Sequence, residues 1–270
     1  MGLRTETKGL VLYTRNHREK DKLVKLFTEK YGKLMFFVRN GNRRNNSLSA
    51  AILPFTEANY LAEIKVEGLS FLNDAKDITS HTAIQQDIFI SAYGTYILNL
   101  VDAAIEDQVY DPALFGFTRQ ALDYLNEGID PEIITNIFEI QLLNRFGLEF
   151  NWTSCAICGE THGKFDFSSL YSGILCEKHF ERDHRRQHAD ARAIHFIRLF
   201  SSISLDQIQS INLKQETKNN IRKTIDELYE EFTGLNLKSK KFIDEMKSWE
   251  TLIKPLEPRQ GTREDEMPDS

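Results

Sequence analysis

The segments CAIC at residues 155–158 and CEKH at residues 176–179 place three cysteines and a histidine in two pairs. Two residues separate the members of each pair, and 17 residues separate the pairs. This spacing is typical of zinc sites in which two tight turns each supply two ligands to one tetrahedral ion. Gly159 follows the first pair and suits the backbone bend of such a turn. We therefore predict a structural zinc knuckle whose ligands are Cys155, Cys158, Cys176 and His179.

Other interpretations of this constellation have less support. The cysteines could be small buried apolar residues, or a redox pair, but a redox pair needs a strand–helix setting and this one lies in a glycine-containing loop. The histidine is the least determined ligand, because other histidines lie nearby at positions 162, 184 and 188. Four protein ligands would leave no open position for a bound water, so a zinc hydrolase is not expected.

Length and composition indicate about two ordinary globular domains. The chain has 270 residues, of which 41% are hydrophobic and 27% charged, so it can bury cores and solvate its surface. It has no apolar run of about 18 residues and no signal-peptide pattern at the N-terminus. We therefore expect a soluble, cytoplasmic protein. Three cysteines cannot all pair within one chain, and a reducing compartment favours metal ligation over disulfides.

Charge is distributed unevenly along the chain. The net charge is −6, which argues against a uniformly basic nucleic-acid binder. Residues 1–46 contain 12 Lys and Arg against four Asp and Glu, giving +8, and the remaining residues therefore carry −14. This asymmetry predicts a cationic N-terminal surface on an acidic body.

The first 80 residues predict a small antiparallel barrel. Segments rich in β-branched and aromatic residues predict strands at 7–13, 33–39, 59–66 and 69–71. The segment DKLVKLFTEKYG at residues 21–32 fits either a helix face or a buried strand, and the Tyr31-Gly32 turn favours a hairpin. Several short strands of this kind are typical of an oligonucleotide-binding (OB) type barrel.

The residue pattern in the remainder of the chain predicts helices. Apolar residues recur at near-helical spacing at 81–107, and Asp-Pro pairs open helices at 111–126 and 131–147. The fold class is therefore α+β. We divide the chain into an OB-fold DNA-binding domain at 1–79, a helical domain at 80–253 with the knuckle at 151–182, and a disordered tail at 254–270.

Cations are concentrated in the predicted barrel, at Arg15, Arg18, Lys20, Lys22, Lys25, Lys33, Arg39, Arg43 and Arg44. A run of charge is commonly only a solvated face, but these cations accompany the aromatic residues Tyr31, Phe36 and Phe37. Cations that follow phosphates and aromatic rings that stack on bases are the means of holding single strands. Since neighbouring strand residues point to opposite faces, at most one of Phe36 and Phe37 can contact a ligand.

Catalytic motifs are absent from the sequence. It contains no phosphate-binding glycine loop, no G-x-G-x-x-G and no G-x-S-x-G elbow. His184 and His188 are one helical turn apart, but the HRRQH segment lacks the glutamate of a metalloprotease. We therefore expect a protein that is not an enzyme.

Four segments together resemble the RecO family of bacterial recombination mediators over about residues 5–250. They are GLVLYTRNHREKDKLVKLFTEKYGKLMFFVR at 9–39, ILPFTEANY at 52–60, YILNLVDAAIEDQVYDPALFGF at 96–117 and FDFSSLYSGILCEKH at 165–179. The resemblance is strongest to RecO proteins of low-GC Gram-positive bacteria, in which the last metal ligand is also a histidine. The acidic net charge departs from what a strong duplex binder would carry.

The resemblance implies an OB barrel followed by a helical domain with an inserted zinc knuckle, and no enzyme activity. It implies DNA repair and recombination through binding of single- and double-stranded DNA and annealing of complementary strands in the nucleoid. The implied partners are RecR, the C-terminal tail of single-stranded-DNA-binding protein (SSB) and, indirectly, RecA. The implied DNA contacts are Arg15, Arg18, Lys20, Lys22, Lys33, Arg39, Arg43 and Arg44. A non-enzymatic adaptor whose barrel and helical body bind protein tails and not DNA remains the alternative, and its supporting feature is the acidic body.

Overall fold

The computed structural model describes residues 2–43, 45–65 and 68–253. In this part of the chain, five strands form an N-terminal sheet, and seven α-helices with a two-stranded hairpin form the rest. Arg44 and the predicted tail at 254–270 lie outside the described residues. None of the helices within these ranges is long and apolar enough to cross a lipid bilayer.

The strands of the N-terminal sheet are Leu3–His17 (β1), Asp21–Thr28 (β2), Gly32–Val38 (β3), Thr56–Ile64 (β4) and Ser70–Ser80 (β5). Strand β1 pairs antiparallel with both β2 and β4, β2 pairs antiparallel with β3, and β4 pairs antiparallel with β5. A short parallel pairing joins β3 to β5. The strand order is therefore β1-β2-β3-β5-β4, and each of the five strands has two neighbours.

The inner face of this sheet encloses an apolar core of its own. Its largest fully buried side chains include Phe36 and Tyr60, and the Tyr60 hydroxyl donates to the Ala51 carbonyl. Phe37 is only partly buried and belongs to the opposite face. The sequence expectation that Phe36 and Phe37 divide between core and surface is confirmed.

Two predictions about the strands had different outcomes. The ambiguous segment at 21–32 forms β2 and the turn into β3, so its helical alternative is wrong. Leu26 packs into the inner core while Phe27 packs against Phe115 of a helix, with 5.4 Å between ring centroids. Strand β5 is longer than the predicted 69–71, because its polar second half pairs with β4 in spite of lacking an apolar pattern.

The α-helices are Thr82–Gln86 (α1), Ile88–Ala104 (α2), Pro112–Asn126 (α3), Pro131–Leu142 (α4), Ala191–Phe200 (α5), Gln215–Phe232 (α6) and Lys238–Ile253 (α7). Aspartates cap several of them. The side chains of Asp111 and Asp130 each accept hydrogen bonds from backbone N–H groups of the first turn, and a proline follows each aspartate directly. The predicted helix at 81–107 is divided, because Asp87 ends α1 and caps α2.

The sheet and the helices share one hydrophobic core. Leu10, Leu12 and Phe27 on the outer face of the sheet belong to the same buried cluster as the inward faces of α2, α3 and α4. Gly32 allows the segment after α2 to pass close to the start of β3. Its φ is +65°, and a Cβ there would lie 2.2 Å from the Val109 carbonyl oxygen.

The structure places Lys33, a predicted DNA contact, differently from the sequence expectation. The segment after α2 runs beside β3, where the Gln108 N–H donates to the Lys33 carbonyl at 3.0 Å. The Lys33 side chain is only 3% exposed, and its Nζ lies 3.0 Å from a carboxylate oxygen of Asp102. Lys25 is similarly buried against Asp107. These two cations hold the sheet to α2 and to the segment that follows it, and they are not available to a ligand.

Candidate metal centre and nucleic-acid interface

The four predicted metal ligands come together around a small hairpin. Its strands, Phe165–Ser168 (β6) and Gly173–Cys176 (β7), are antiparallel and pair Phe165 with Cys176. Cys176 therefore ends a strand, and His179 lies in the 3-10 helix Glu177–Arg182 that follows. The other pair lies on the preceding loop, which the hairpin holds through the Ala156 N–H bond to the Ile174 carbonyl at 2.8 Å.

The loop that carries Cys155 and Cys158 is a tight turn. The Gly159 N–H donates to the Cys155 carbonyl at 2.9 Å, and the Cys155 N–H donates to the Glu160 carbonyl at 2.8 Å. Gly159 has a φ of +75°, which L-residues with a side chain rarely adopt. The turn therefore aims both cysteine side chains at one point, as the sequence spacing predicts.

The distances between the candidate ligand atoms suit a tetrahedral ion. All four ligand atoms lie within 4.8 Å of one another. The Sγ atoms of Cys158 and Cys176 are 3.8 Å apart, and His179 Nδ1 lies 3.5 Å from Cys155 Sγ and 3.3 Å from Cys176 Sγ. Zinc bonds of ordinary length with tetrahedral angles require about 3.8 Å between sulfurs and about 3.6 Å between sulfur and nitrogen. The cluster could therefore bind a metal ion.

The electrostatics of the cluster favour a thiolate at Cys155. Burial opposes ionisation, but the N–H groups of Cys176, Cys158 and Ile157 together lower the pKa of Cys155 to about 6. Burial and the neighbouring cysteines raise the pKa of Cys176. Because thiolates are the metal-binding form of cysteine, an ion would be needed to let several of them ionise at one point.

The alternative histidines do not point into the cluster. The side chains of His162 and His184 are 93% and 78% exposed, and each lies beside a glutamate. His188 Nε2 lies 3.1 Å from the His184 carbonyl. His179 is the histidine that the described structure brings to the three sulfurs.

Arg198 of α5 stabilises the metal loop from outside, although the sequence analysis did not identify it. Its guanidinium lies 4.2 Å from the centroid of Phe165. Its N–H groups donate to carbonyls of the loop at Trp152, Thr153 and Thr161, over distances of 2.9–3.0 Å. A single arginine 40 residues downstream carries no sequence signal for this role, because the contact depends on how α5 packs.

The candidate nucleic-acid interface lies on the N-terminal sheet. Five of the predicted cations, Arg15, Arg18, Lys20, Arg39 and Arg43, are exposed, and Lys22 is partly exposed. They lie on the end of β1, on the β1–β2 turn, at the start of β2 and after β3. Among the described residues these six form no ion pair with a carboxylate, so their charge is directed to solvent.

The same surface contains residues that the sequence analysis did not single out. Phe71 of β5 is partly buried beside Phe37, and Lys65 lies over the Phe71 ring with Nζ 4.7 Å from its centroid. Their proximity depends on the parallel pairing of β3 with β5, which links residues more than 30 positions apart. Only the register of the sheet could have revealed them.

Comparison with known families gives matches along most of the chain. Residues 1–81 match the family model described as recombination protein O N terminal, and residues 85–241 match that described as recombination protein O C terminal. The two models together cover both the N-terminal sheet and the helices up to the start of α7.

Curated relatives named DNA repair protein RecO match nearly the whole chain. The protein of Enterococcus faecalis strain V583 is 66% identical over 92% of this chain and 95% of its own length. The protein of Lactococcus lactis subsp. cremoris strain SK11 is 49% identical over 92% and 98%, respectively. That of Streptococcus suis strain 05ZYH33 is 48% identical over 93% and 96%. The chain therefore belongs to the RecO family and has a role in DNA repair and recombination.

Proposed function

We propose that this chain is a non-enzymatic recombination mediator that binds single- and double-stranded DNA and anneals complementary strands. In this proposal it acts in the cytoplasm, on the nucleoid, and together with RecR helps RecA load onto SSB-coated strands. Membership of the RecO family supports the biological role. The observation that carries the DNA-binding part is the exposed cluster of cations on the N-terminal sheet that have no carboxylate partner within the described residues.

The architecture of the sheet favours this surface as the DNA-binding face. Its strand order and its ring of pairings are those of an OB-type barrel, which we infer for residues 1–79. Such barrels hold oligonucleotides on the β2–β3 face and on the β1–β2 and β4–β5 loops. Arg18 and Lys20 lie on the β1–β2 turn, and Arg39 and Arg43 follow β3. Lys33 is not part of the proposed surface because it is buried.

The charge asymmetry supports a mechanism for annealing. Cations on the sheet neutralise phosphates, which lowers the repulsion between two strands held close together. The remainder of the chain carries −14 and repels phosphates, so DNA is confined to the N-terminal face. Two strands held on one face can then form and break trial base pairs while both remain bound to the protein.

The Cys3His cluster is proposed as a structural zinc site in the helical domain. Three thiolates and one imidazole are a donor set typical of zinc, and the observed separations suit a tetrahedral shell. A bound zinc ion would supply folding free energy to a loop that has little core of its own. Since protein ligands would fill the shell, the protein's own residues at this site position the loop and do not activate water.

The proposed partners are RecR, the C-terminal tail of SSB and, indirectly, RecA. Family membership and the names of the relatives support a protein that works with other repair proteins. An acidic tail would be attracted to the cationic N-terminal face or to lysines of the helical domain. These interactions would bring the DNA-binding face to strands that SSB already covers.

Strand annealing on SSB-coated DNA, with and without RecR, tests this function. The expected result is faster pairing of complementary strands when the chain is present, and RecA loading that depends on the chain and RecR together. Failure to anneal naked or coated strands under every condition would contradict the mediator. A variant with Arg39 and Arg43 replaced by alanine should anneal strands more slowly, and a variant with Lys164 and Lys223 replaced by alanine provides the charge-matched control.

An adaptor that binds proteins and not DNA is the second candidate, and the acidic body of the chain favours it. It predicts that the chain binds a peptide with the sequence of the SSB tail but neither binds nor anneals naked strands. Annealing of naked complementary strands by the purified chain would exclude the adaptor.

A further inference from the structure

A row of rings lies across the outer face of the N-terminal sheet. Phe37 of β3 and Phe71 of β5 are register partners, with ring centroids 5.7 Å apart. His17, at the end of β1, lies with its ring centroid 5.9 Å from that of Phe37. Because directly paired residues point to the same face of a sheet, the row continues from Phe37 to Leu23 and Arg15. The result is a row of partly exposed rings that continues over the buried Leu23 and ends in a cation.

These rings do not serve either hydrophobic core. Phe37 and Phe71 belong neither to the cluster inside the sheet nor to the cluster shared with the helices. Both are partly exposed to solvent. The edge-to-face contact between these two rings stabilises the sheet, and their exposed parts leave an aromatic surface that is open to a ligand with an aromatic or apolar face.

Cations surround the rings and define the charge of that ligand. Lys65 Nζ lies 4.7 Å from the centroid of Phe71, and the exposed Arg39 follows β3 directly. With Asn46 and Asn73 they line a concavity of about 490 Å³ that opens beside Phe37 and Phe71. A ligand with flat apolar groups and a negatively charged backbone complements both features.

We propose that Phe37 and Phe71 form a stacking site for unpaired bases of a single nucleic-acid strand, with Arg39 and Lys65 holding the adjacent phosphates. This proposal rests on the proposed DNA binding and assigns to it the site where single strands differ from duplex. Bases within a duplex are already stacked and cannot reach the rings, whereas unpaired bases stack on aromatic side chains regardless of sequence. The site therefore gives the protein a preference for single strands.

A carboxylate beside the rings determines which part of the nucleic-acid strand lies next to it. Glu63 of β4 is the register partner of Phe71 and lines the same concavity. Because it repels phosphates, a base and not a phosphate lies beside Glu63, while Arg39 and Lys65 hold the flanking phosphates. A carboxylate there can accept hydrogen bonds from the exocyclic amino groups of bases.

Binding of a labelled single strand and of a duplex of the same length, measured by fluorescence anisotropy at low salt, tests the site. Phe37→Ala and Phe71→Ala are each expected to weaken single-strand binding by about 5- to 150-fold, the range that corresponds to one lost stacking contact. Duplex affinity should stay unchanged. Phe37→Leu keeps the apolar volume on the strand and should lose single-strand affinity while staying folded. Tyr110→Ala removes a ring that is 64% exposed in another part of the structure, and it serves as the matched control.

A spectroscopic variant separates stacking from a general loss of structure. In Phe37→Trp the indole should keep single-strand affinity, and its emission should be quenched by the single strand and not by the duplex. The unchanged chain, measured in the same way, gives the signal of the native tryptophans.

The outcomes distinguish this site from the proposed function on which it rests. Equal losses of single-strand and duplex affinity, or a loss no larger than that of Tyr110→Ala, would overturn the stacking site while leaving DNA binding intact. If the unchanged chain binds neither nucleic acid at low salt, both the site and the proposed DNA binding fail. Binding of an acidic peptide that depends on Phe37 without any nucleic-acid binding would assign the concavity to a protein partner and overturn the proposal.

Discussion

The Cys3His cluster and the cationic face of the N-terminal sheet are opposite kinds of site. The cluster is formed by four residues whose spacing already specifies their geometry, and its ligand atoms meet within 4.8 Å. The cationic face is formed by ordinary arginines, lysines and rings from four strands, and these residues meet only because of the sheet register. The local motif is the site to which we assign a structural role, and the surface without a motif is the one to which we assign function.

This difference follows from what each site must hold. A metal ion needs several ligand atoms at fixed short distances, so the chain must supply them from tight turns. A nucleic-acid strand offers repeated phosphates and bases, so many weak contacts spread over a face can bind it. The two regions should accordingly respond to substitution in different ways.

The largest effect is expected from loss of the cluster. Cys155→Ser should abolish metal binding and destabilise the helical region by several kcal/mol, since structural zinc sites contribute folding free energy at about that scale or more. Metal content by mass spectrometry and thermal unfolding would measure it. His162→Ala, which removes a nearby histidine that is 93% exposed, should keep both the metal and the stability. A metal-free but fully stable Cys155→Ser protein would show that the cluster is not structural.

A buried ion pair in the helical region provides a second test of stability, and this test does not involve the metal cluster. Glu139 of α4 is 0% exposed and accepts from the Arg222 guanidinium and the Tyr96 hydroxyl. Glu139→Gln leaves the Arg222 charge buried, with Asp226 as its remaining carboxylate, and should cost about 3 kcal/mol in the free energy of unfolding measured with urea. Lys223→Met breaks only an exposed pair with Glu227 and should change stability by less than about 0.5 kcal/mol.

Substitutions on the cationic face should alter binding and leave stability unchanged. Replacing Arg39 and Arg43 together with alanine should weaken both single-strand and duplex binding. The slope of log affinity against log salt should fall by about 0.7 per lost contact for single strands and about 0.9 for duplex. A variant in which Lys164 and Lys223 are both replaced by alanine removes the same charge far from the sheet and should leave the slope unchanged. An unchanged slope for the Arg39 and Arg43 variant would remove these residues from the interface.

The smallest effect is expected at the junction of the two regions, where His81 joins the end of β5 to α3. His81 Nδ1 lies 2.6 Å from the Phe55 carbonyl oxygen, and Nε2 lies 2.9 Å from a carboxylate oxygen of Asp123. Burial lowers the pKa of His81, but the hydrogen bonds to Asp123 and Phe55 and the Asp123 charge outweigh it, so the pKa is raised above the ordinary value of 6.5. Both ring nitrogens face acceptors, which favours the doubly protonated imidazolium.

The direction of the pH dependence follows from that raised pKa. The stabilisation is fully present below about pH 6.5 and is lost as the pH rises through the folded-state pKa. His81→Gln should remove this dependence and cost on the order of 1 kcal/mol at the lower pH. Urea unfolding across this pH window would measure both. His195→Gln, at an exposed position on α5, should leave the pH profile of stability unchanged.

Sequence reasoning succeeded where the signal is local. The meeting of Cys155, Cys158, Cys176 and His179, the helix starts after Asp111 and Asp130, and the strand and turn at 21–32 were each predicted from a short local pattern. It failed where a non-local contact decides. Lys33 is a typical surface lysine by sequence, and it is buried by Asp102 of α2 and by the segment after α2 that runs beside β3.

The length of β5 is a second instance of the same limit. Its residues after Leu72 are mostly polar and exposed, so they have no apolar alternation to mark a strand. These residues gain backbone hydrogen bonds by pairing with β4, and the side-chain pattern does not predict that pairing. The partnership of Phe37 with Phe71 likewise depends on a parallel register that neither strand specifies alone.

The core shared by Leu10, Leu12 and Phe27 with the helices has a consequence for how the chain can be divided. The two family models meet between residues 81 and 85. A fragment that ends there would expose the apolar residues of the sheet that the helices now cover, and it would tend to aggregate. The whole chain should therefore unfold in a single cooperative transition. Recombination between related genes is limited for the same reason. The N-terminal sheet cannot be exchanged between relatives without the helices that complete its core.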